Sequence, residues 1–228
     1  MKYIDLEETI NLMNKMLNTI TKLSKWNGHL YNWYNTNTLE PLIPRYISTV
    51  DNGNFIGYMY TTKQFLTEIL EGISSKIIDN GLEPSSKKEI QQMIKQIDNI
   101  INTTDFSILY DHRKHLFSIG YDVEQRKLTN SYYDLLASEA RQASLIAIAK
   151  KDVNWKHWNY LSRTLTSLNK YKGLISWSGT AFEYLMPNVN IKEYRGSLLD
   201  ESCRFLIYSQ IEYAKKLGIP FRNFRSGI

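Results

Sequence analysis

The feature that most constrains the fold is a recurring pattern of apolar residues at spacings of three and four. The pattern occurs in six segments, which span 6–26, 53–73, 85–104, 131–151, 154–165 and 197–220. Such spacing is typical of amphipathic helices. Four helix entrances also carry Ser followed three residues later by an acid: Ser48-x-x-Asp51, Ser86-x-x-Glu89, Ser131-x-x-Asp134 and Ser197-x-x-Asp200. These capping patterns strengthen the prediction of a mostly helical, all-α chain.

The helices are separated by long loops, which cover residues 27–50, 104–130 and 169–196. Strand signals are few, and they lie at residues 116–123 and 173–179. A compact helical protein rarely carries loops of this length unless they have a function. No low-complexity linker interrupts the chain, so we predict a single domain over residues 1–228.

Composition excludes several classes of function. The net charge is +5, but the basic residues are scattered, whereas a nucleic-acid groove would cluster them. The sequence carries no secretory signal and no apolar run of about 20 residues, so we expect a soluble, cytoplasmic chain. Its single cysteine, Cys203, is expected in the core. Metal-ligand, P-loop, dinucleotide and serine-elbow motifs are absent, so neither a cofactor nor a metal is predicted.

Glu139 is the most unusual charged residue, because it lies in the middle of the fourth predicted helix. On a helix it shares one face with Tyr132, Leu135, Leu136, Ala143 and Ile146. Arg141 points the other way. A carboxylate on an apolar face costs several kcal/mol unless it is paired or borders a polar cavity. Two explanations stay open: a buried ion pair with Arg45, Arg163 or Arg195, or a cleft into which Glu139 projects.

The loop at residues 27–50 alternates aromatic and polar side chains. Candidates for binding a substrate there and at the following helix entrance are His29, Trp33, Tyr34, Arg45 and Asp51. Sugars present apolar faces that stack on aromatic rings and hydroxyl groups that need polar partners. The pattern therefore indicates a sugar site, although a packed loop with Trp33 as its plug explains it equally well.

A second set of candidates surrounds residues 169–196. Glu183 is flanked by Phe, Tyr, Leu and Met, so burial is expected to raise its pKa and suit it to donating a proton. The alternative is a glutamate that caps a helix or pairs with an arginine. Trp177 lies in the same loop, and Tyr132 and Asp134 lie near Glu139; all three are candidates for binding substrate. Cleavage of a glycosidic bond commonly needs two carboxyl groups, and Glu139 and Glu183 are the catalytic candidates.

Five stretches together resemble the glycoamylase-like domain of bacterial cyclic β-1,2-glucan synthases. They are "GHLYNWYNTNTLEPLIPRYISTVDNGNFIGY", "DFSILYDHRKHLFSIGYDVEQRKLTNSYYDLLASEARQASLIAIAKKDV", "HWNYLSRTL", "LISWSGTAFEYLMP" and "LLDESCRFLIYSQIEYAKKLGIP". The resemblance runs from about Trp26 to Pro220. It implies an (α/α)6-barrel domain that rearranges or cyclises linear β-1,2-glucan by transglycosylation. The parent enzymes are membrane-associated.

The resemblance also implies roles for particular residues. Glu139, in "LASEAR", would be a catalytic carboxylate, and Glu183 with Trp177 would support it or bind substrate. The chain offers fewer helices than a complete barrel needs, which implies a partial barrel. Arg225 stands where the family pattern leads us to expect a partner glutamate, so we predict little or no bond cleavage.

The sequence thus predicts a carbohydrate-active domain for β-1,2-glucan with impaired catalysis. The alternatives are a non-catalytic glycan-binding or scaffold remnant, and an all-helical interaction module whose buried acids form ion pairs. The expected partner is a β-glucan oligosaccharide or polysaccharide and not a nucleic acid. Bare apolar helix faces would favour homo-oligomers.

Overall fold

The computed structural model describes residues 5–72 and 84–220, and helices dominate these ranges. The α-helices are α1 (Leu6–Lys22), α2 (Thr49–Leu70), α3 (Pro84–Thr103), α4 (Arg141–Lys150), α5 (His157–Tyr160), α6 (Ala181–Leu185) and α7 (Leu198–Leu217). Short 3-10 helices span Phe106–Leu109 and Met186–Val189. The strands are β1 (Lys25–Trp26), β2 (His29–Leu30), β3 (Tyr46–Ser48), β4 (Tyr110–Asp111), β5 (Leu116–Phe117), β6 (Gly120–Asp122), β7 (Lys127–Leu128), β8 (Leu165–Leu168) and β9 (Tyr171–Leu174). The predicted mostly helical class is confirmed, with a few short strands in addition.

The first and last predicted helices are confirmed as α1 and α7. Helix α7 begins where its capping pattern indicated, because the Ser197 hydroxyl accepts a 3.2 Å hydrogen bond from the backbone N–H of Asp200. It ends at Gly218, whose φ of 65° is the left-handed conformation that glycine adopts most easily.

The second and third helices differ from prediction at their entrances. Helix α2 begins at Thr49 rather than residue 53, and the Ser48 hydroxyl accepts from Asp51 N–H at 3.3 Å, as the capping pattern predicts. The cap predicted at Ser86 is wrong, since α3 already begins at Pro84. Proline suits the first helical position, because its missing N–H would have no partner there.

The fourth predicted helix is wrong over its first half. Residues 131–134 are extended or irregular, residues 135–140 form turns, and α4 begins only at Arg141. The carboxylate of Asp134 accepts hydrogen bonds from the backbone and hydroxyl of Ser162 instead of capping a helix. Ser138 then adopts a φ of 51°, which a right-handed helix does not allow. The fifth predicted helix is also shorter, because α5 ends at Tyr160 and strand β8 follows.

Eight of the nine strands in the described ranges form small antiparallel hairpins. Strand β1 pairs with β2, β4 with β5, β6 with β7, and β8 with β9. The strand signal at residues 116–123 is confirmed by β5 and β6, whereas the signal at 173–179 coincides only with the end of β9.

The described residues form two compact units. The first holds those up to Ile47 together with Phe55–Asp105, and the second holds Ser48–Asn54 together with those from Phe106 onward. Helix α2 begins in the second unit and continues in the first. The single domain stays a prediction.

Each unit has its own apolar core. In the first unit α1 packs against α3, and the fully buried side chains include Leu17, Ile90, Met93 and Ile97. In the second unit α7 packs against β9, in a cluster that includes Leu135, Leu174, Leu206 and Cys203. The predicted burial of the cysteine is thus confirmed. Within the two described ranges, every helix is too short or too polar to cross a lipid bilayer.

Candidate functional site

Glu139 lies in the second unit, in the turn that precedes α4. The sequence-based placement on an apolar helix face is therefore wrong, although the residue is buried, with 7% of its surface exposed. Its Oε1 accepts a 2.7 Å hydrogen bond from the side-chain amide of Asn54, and its Oε2 accepts one from the Ser138 hydroxyl. Both partners are neutral donors.

The ion pair with an arginine, one of the two explanations that the sequence left open for Glu139, is not seen among the described residues. Arg163, one of the three candidate partners, donates instead to the backbone carbonyls of Leu161 and Trp158. No lysine or arginine in the described part of the chain forms a salt bridge with Glu139.

Gly53 explains how Asn54 reaches Glu139. A Cβ atom added to Gly53 would lie 2.4 Å from the Cβ of Ala143 in α4, which is closer than side-chain atoms can approach. The absence of a side chain therefore lets the beginning of α2 lie directly against α4. This close contact positions the Asn54 amide beside the turn that carries Glu139.

Glu183 is the second buried acid of this unit, with 3% of its surface exposed. It occupies the first turn of α6 and forms a reciprocal capping box with Thr180. Its carboxylate also accepts a 2.6 Å hydrogen bond from the Ser176 hydroxyl and a 3.0 Å bond from Ser178 N–H. Glu183 therefore holds residues 176–180 in place, as the helix-capping alternative predicted.

The pKa of Glu183 contradicts the expectation of a proton donor. Burial alone would raise this pKa, but hydrogen bonds from Ser176, Ser178 and Thr180 outweigh burial and lower it below its usual value. Donors aimed at a carboxylate favour its charged form. Glu183 is thus ionised at neutral pH.

Ser138 connects the two acids. Its hydroxyl donates to Glu139, and its backbone N–H lies 3.4 Å from Oε1 of Glu183. The left-handed backbone conformation of Ser138 allows both groups to point toward carboxylates at once.

A pocket of about 400 Å³ opens beside these residues. Its lining consists of Tyr133, Ser138, Trp177, Ser178, Thr180, Phe182 and Glu183. Trp177 is 56% exposed, and its ring lies 5.7 Å from that of Tyr133 at an angle of 45°. The backbone N–H of Trp177 donates to the Leu136 carbonyl at 3.0 Å, which holds the loop against the Glu139 turn. The pocket thus combines flat aromatic surface with hydroxyl groups and a carboxylate.

Arg141 supports this arrangement from inside the core. On the predicted helix this residue pointed away from Glu139. In the structure it is fully buried, and its guanidinium donates to the carbonyls of Glu183 at 2.7 Å and Tyr184 at 2.6 Å. Burial lowers the pKa of Arg141 to about 10, so it stays charged at neutral pH. It therefore fixes α6 to the first residue of α4.

The remaining candidates in the second unit lie outside the pocket lining. Tyr132 donates from its hydroxyl to Asp111 at 2.8 Å, and this contact holds the pKa of Asp111 below its usual value. Asp134 binds Ser162. Asp51 is exposed in the first turn of α2, one helical turn before Asn54.

Four predicted substrate-binding residues belong to the first unit: His29, Trp33, Tyr34 and Arg45. His29 is fully buried, and its Nε2 lies 2.7 Å from the carbonyl of Asp105. The Tyr34 hydroxyl donates to the Ser24 carbonyl at 2.7 Å, and burial raises the pKa of this tyrosine. Trp33 and Arg45 are exposed. Because His29 and Tyr34 are engaged with the backbone of their own unit, they are left out of the proposed site.

Sequence reasoning missed Asn54 and Ser138, the two partners of Glu139. Asn54 is separated from Glu139 by 85 positions and carries no local signal. Ser138 is adjacent in sequence, but the helical prediction gave it no contact. Within residues 5–72 and 84–220, no cluster of three or more metal-binding side chains occurs.

Comparison with known proteins identifies relatives of this chain. No protein-family model matches it. The chain is 26% identical to cyclic beta-(1,2)-glucan synthase NdvB of Rhizobium meliloti over an alignment of 327 residues, which covers 96% of the chain and 12% of the synthase. The chain thus spans a small part of that relative. Because the alignment is longer than the chain, the synthase carries segments within this region that the chain lacks.

Two solved structures share the fold. A candidate glucoamylase from Bacteroides fragilis superposes with a TM-score of 0.72 and 14% identity, covering 94% of this chain and 51% of that protein. A candidate glucoamylase from Bacteroides caccae gives a TM-score of 0.68 and 11% identity, covering 94% of this chain and 52% of that protein. The chain spans about half of each structure. The shared fold is glucoamylase-like, and the sequence match together with it supports a glycoamylase-like domain.

Proposed function

We propose that this glycoamylase-like chain is a carbohydrate-active domain that binds a β-glucan in the pocket beside Glu139, with Glu139 as the carboxylate that acts on the glycosidic bond. The position of Glu139 carries the proposal. It is a buried acid that accepts hydrogen bonds from two neutral donors, and it lies one residue away from a pocket bordered by an exposed tryptophan. Burying an acid without an opposite charge costs free energy, so such a residue is a functional candidate.

The pocket lining suits a sugar ring. Trp177 and Tyr133 offer aromatic faces for the apolar side of a pyranose, and both are held in place by neighbouring contacts. The hydroxyl groups of Ser178 and Thr180 border the same space and can exchange hydrogen bonds with sugar hydroxyls.

The hydrogen bonds of Glu139 favour one of the two roles that glycosidic chemistry requires. Both carboxylate oxygens accept hydrogen bonds, from Asn54 and from Ser138. This arrangement suits a group that acts as nucleophile or base on the anomeric carbon.

Among the described residues, none is assigned the role of proton donor. Glu183 does not suit this role, because its pKa lies below the usual value. Arg225, at the position where the family pattern leads to a glutamate, lies outside the described residues. The proposal therefore includes weak cleavage of natural glycosidic bonds by this chain.

The relative with 26% identity is named a cyclic beta-(1,2)-glucan synthase, which supports linear β-1,2-glucan as the ligand.

The proposal also includes the (α/α)6 arrangement, of which this chain would supply part. The coverage of about half of each structural relative supports a partial barrel. Self-association through apolar faces, such as the one with exposed Leu12 and Met16 on α1, belongs to the same proposal.

An activated substrate tests the role of Glu139 without a proton donor. Dinitrophenolate leaves unaided, so a dinitrophenyl β-glycoside of the β-1,2-linked disaccharide needs only the nucleophile or base. We expect this chain to release dinitrophenolate far faster than it cleaves linear β-1,2-glucan. Glu139→Gln is expected to lower the release rate at least about a hundredfold. Glu40→Gln, at an exposed acid of the first unit, is the matched control. Release that persists in the Glu139→Gln variant contradicts the proposal.

A second candidate function is glycan binding without chemistry, and the lowered pKa of Glu183 favours it. Saturable binding of linear β-1,2-glucan, measured by calorimetry, together with no Glu139-dependent release would support this candidate. If the chain neither binds the glucan nor releases dinitrophenolate, both candidates are wrong and the interaction module is favoured.

A further inference from the structure

Two further hollows lie in the second unit, around the segment that follows α4. The larger one, about 540 Å³, falls in the size range of ligand sites. It is lined by Tyr110, His112, His115, Ile148, Lys151, Asp152, Val153, Asn154 and Trp155. The smaller one, about 240 Å³, is lined by Trp155, Lys156, Asn159 and Tyr160. Trp155 borders both hollows, which are therefore neighbours.

Two large aromatic side chains are exposed at this place, and one of them is held by stacking. Trp155 is 62% exposed and Tyr160 is 52% exposed. The ring of Tyr160 stacks on that of His115 with a centroid distance of 4.2 Å and an angle of 26°. Two large aromatic faces at the surface, one of them held by stacking, form a platform on which another flat, partly apolar group can lie.

The polar groups around this platform are mainly neutral amides and basic groups. Asn154, Asn159 and Lys156 are exposed next to Trp155. The acid in the larger hollow, Asp152, is already engaged, since it accepts from Phe106 N–H at 3.1 Å and lies 3.5 Å from the ammonium group of Lys150. The platform thus offers hydrogen-bonding amides beside aromatic faces, which suits a ligand that is rich in hydroxyl groups.

This platform is separate from the Glu139 pocket. Glu139 precedes the first residue of α4, whereas Trp155 follows the last residue of that helix. Helix α4 has 10 residues, so its two ends lie about 15 Å apart. The two pocket linings share no residue.

We infer that the platform of Trp155, Tyr160 and His115 is a second, non-catalytic site that holds a distant part of a glucan chain. The choice of a glucan as ligand rests on the proposed function. The stacked and exposed rings bind successive sugar units, and Asn154 and Asn159 exchange hydrogen bonds with their hydroxyl groups. Such a site raises the affinity for long chains relative to short ones, because only a long chain reaches both places.

Calorimetry with the full 228-residue chain tests the inference. The Glu139→Gln variant serves as the background, so that no turnover disturbs the titration with linear β-1,2-glucan or with its disaccharide. Adding Trp155→Ala is expected to raise the Kd for the long glucan roughly five- to tenfold and to leave the Kd for the disaccharide unchanged. Adding Trp155→Phe keeps a ring and is expected to retain most of the affinity. Tyr213→Ala, at an exposed aromatic residue of α7 that lines neither hollow, is the matched control.

The outcomes separate this inference from the proposed function. If Trp155→Ala binds the long glucan as tightly as its background does, or if no glucan binds at all, the inference is wrong. A Trp155-dependent loss of affinity supports the inference even where the dinitrophenyl glycoside shows no Glu139-dependent release, a result that would overturn the catalytic proposal alone. Thermal melts of each variant identify any loss of affinity that comes from unfolding. If Trp155→Ala proves to be unfolded, the affinity of Trp155→Phe for the long glucan decides whether an aromatic ring at this position binds the chain.

Discussion

The side-chain amide of Asn54 donates a 2.7 Å hydrogen bond to Oε1 of Glu139, across 85 positions of sequence. This contact fixes the orientation of the carboxylate, whose other oxygen is held by Ser138. The hydrogen bond joins the beginning of α2 to the turn before α4, and the proposed chemistry depends on it more than on any other contact between these two segments.

The first prediction concerns this hydrogen bond. Asn54→Ala leaves one oxygen of Glu139 without its donor, and hydrogen bonds to charged groups contribute about 1.5–3 kcal/mol. We expect the release of dinitrophenolate from the activated glycoside to slow by roughly ten- to a hundredfold. Asn11→Ala, at an exposed asparagine of α1, is the control. An unchanged rate for Asn54→Ala would show that the amide does not orient Glu139.

The second prediction concerns the close approach of Gly53 to Ala143. Gly53→Ala places a Cβ atom 2.4 Å from the Cβ of Ala143, so the two helices must separate. Overpacking of this kind costs about 1–3 kcal/mol of unfolding free energy, which urea denaturation measures. The double variant Gly53→Ala/Ala143→Gly removes the nearest contact, although the added Cβ atom still lies 2.8 Å from the Cα of residue 143. Its loss of stability should therefore be smaller than the sum of the two single losses, and a full additive loss would contradict the steric explanation.

The third prediction concerns the charge of Glu183. Glu183→Gln weakens the bonds with Ser176, Ser178 and Thr180, so we expect a loss of about 1–3 kcal/mol at neutral pH. The folded-state pKa of Glu183 is lowered, so its stabilisation is present above the unfolded pKa and disappears as the pH falls through the folded value. The difference between variant and parent, measured by denaturation at several pH values, should therefore shrink in acid. Glu212→Gln, at an acid paired with Lys215 on the surface of α7, should show a much smaller effect.

The fourth prediction concerns a buried histidine. His157 is 1% exposed, with Nε2 at 2.9 Å from the Ser144 hydroxyl and Nδ1 at 2.9 Å from the His115 carbonyl. Burial lowers the pKa of His157 below its usual 6.5, because it disfavours the charged ring. The unfolded chain then takes up a proton first, so stability should fall as the pH drops below about 6.5.

Thermal melts across this pH range measure the effect of His157. His157→Gln lowers stability at neutral pH through lost hydrogen bonds, but it should flatten the decline in acid. His112→Gln, at an exposed histidine, should keep the parental slope. An equally steep acid decline in His157→Gln would assign the pH dependence to other groups.

Local sequence signals predicted those parts of the fold that local interactions determine. Helix α7 begins and ends where Ser197 and Gly218 indicated, because a cap and a left-handed glycine act within a few residues. The helix predicted at residues 131–151 failed in its first half for the opposite reason. There the contact of Asp134 with Ser162 and the backbone of Ser138 are determined by distant parts of the chain.

At the candidate site, too, features set by nearby residues were predicted and features set by distant residues were not. Glu139, Glu183 and Trp177 were predicted as candidates from the sequence, and the three lie in one region of the second unit. The sequence did not predict that Glu183 would be ionised, because its serine and threonine donors surround it only after folding. The sequence also did not predict the role of Asn54, because its hydrogen-bond partner Glu139 lies 85 positions away.

Ser138 touches both acids, through its hydroxyl and its backbone N–H. Effects of substitutions at Glu139 and Glu183 should therefore show epistasis, with each change altering the consequence of the other. Any attempt to restore or redirect chemistry at one of these positions has to vary the two acids and the intervening serine as a single unit.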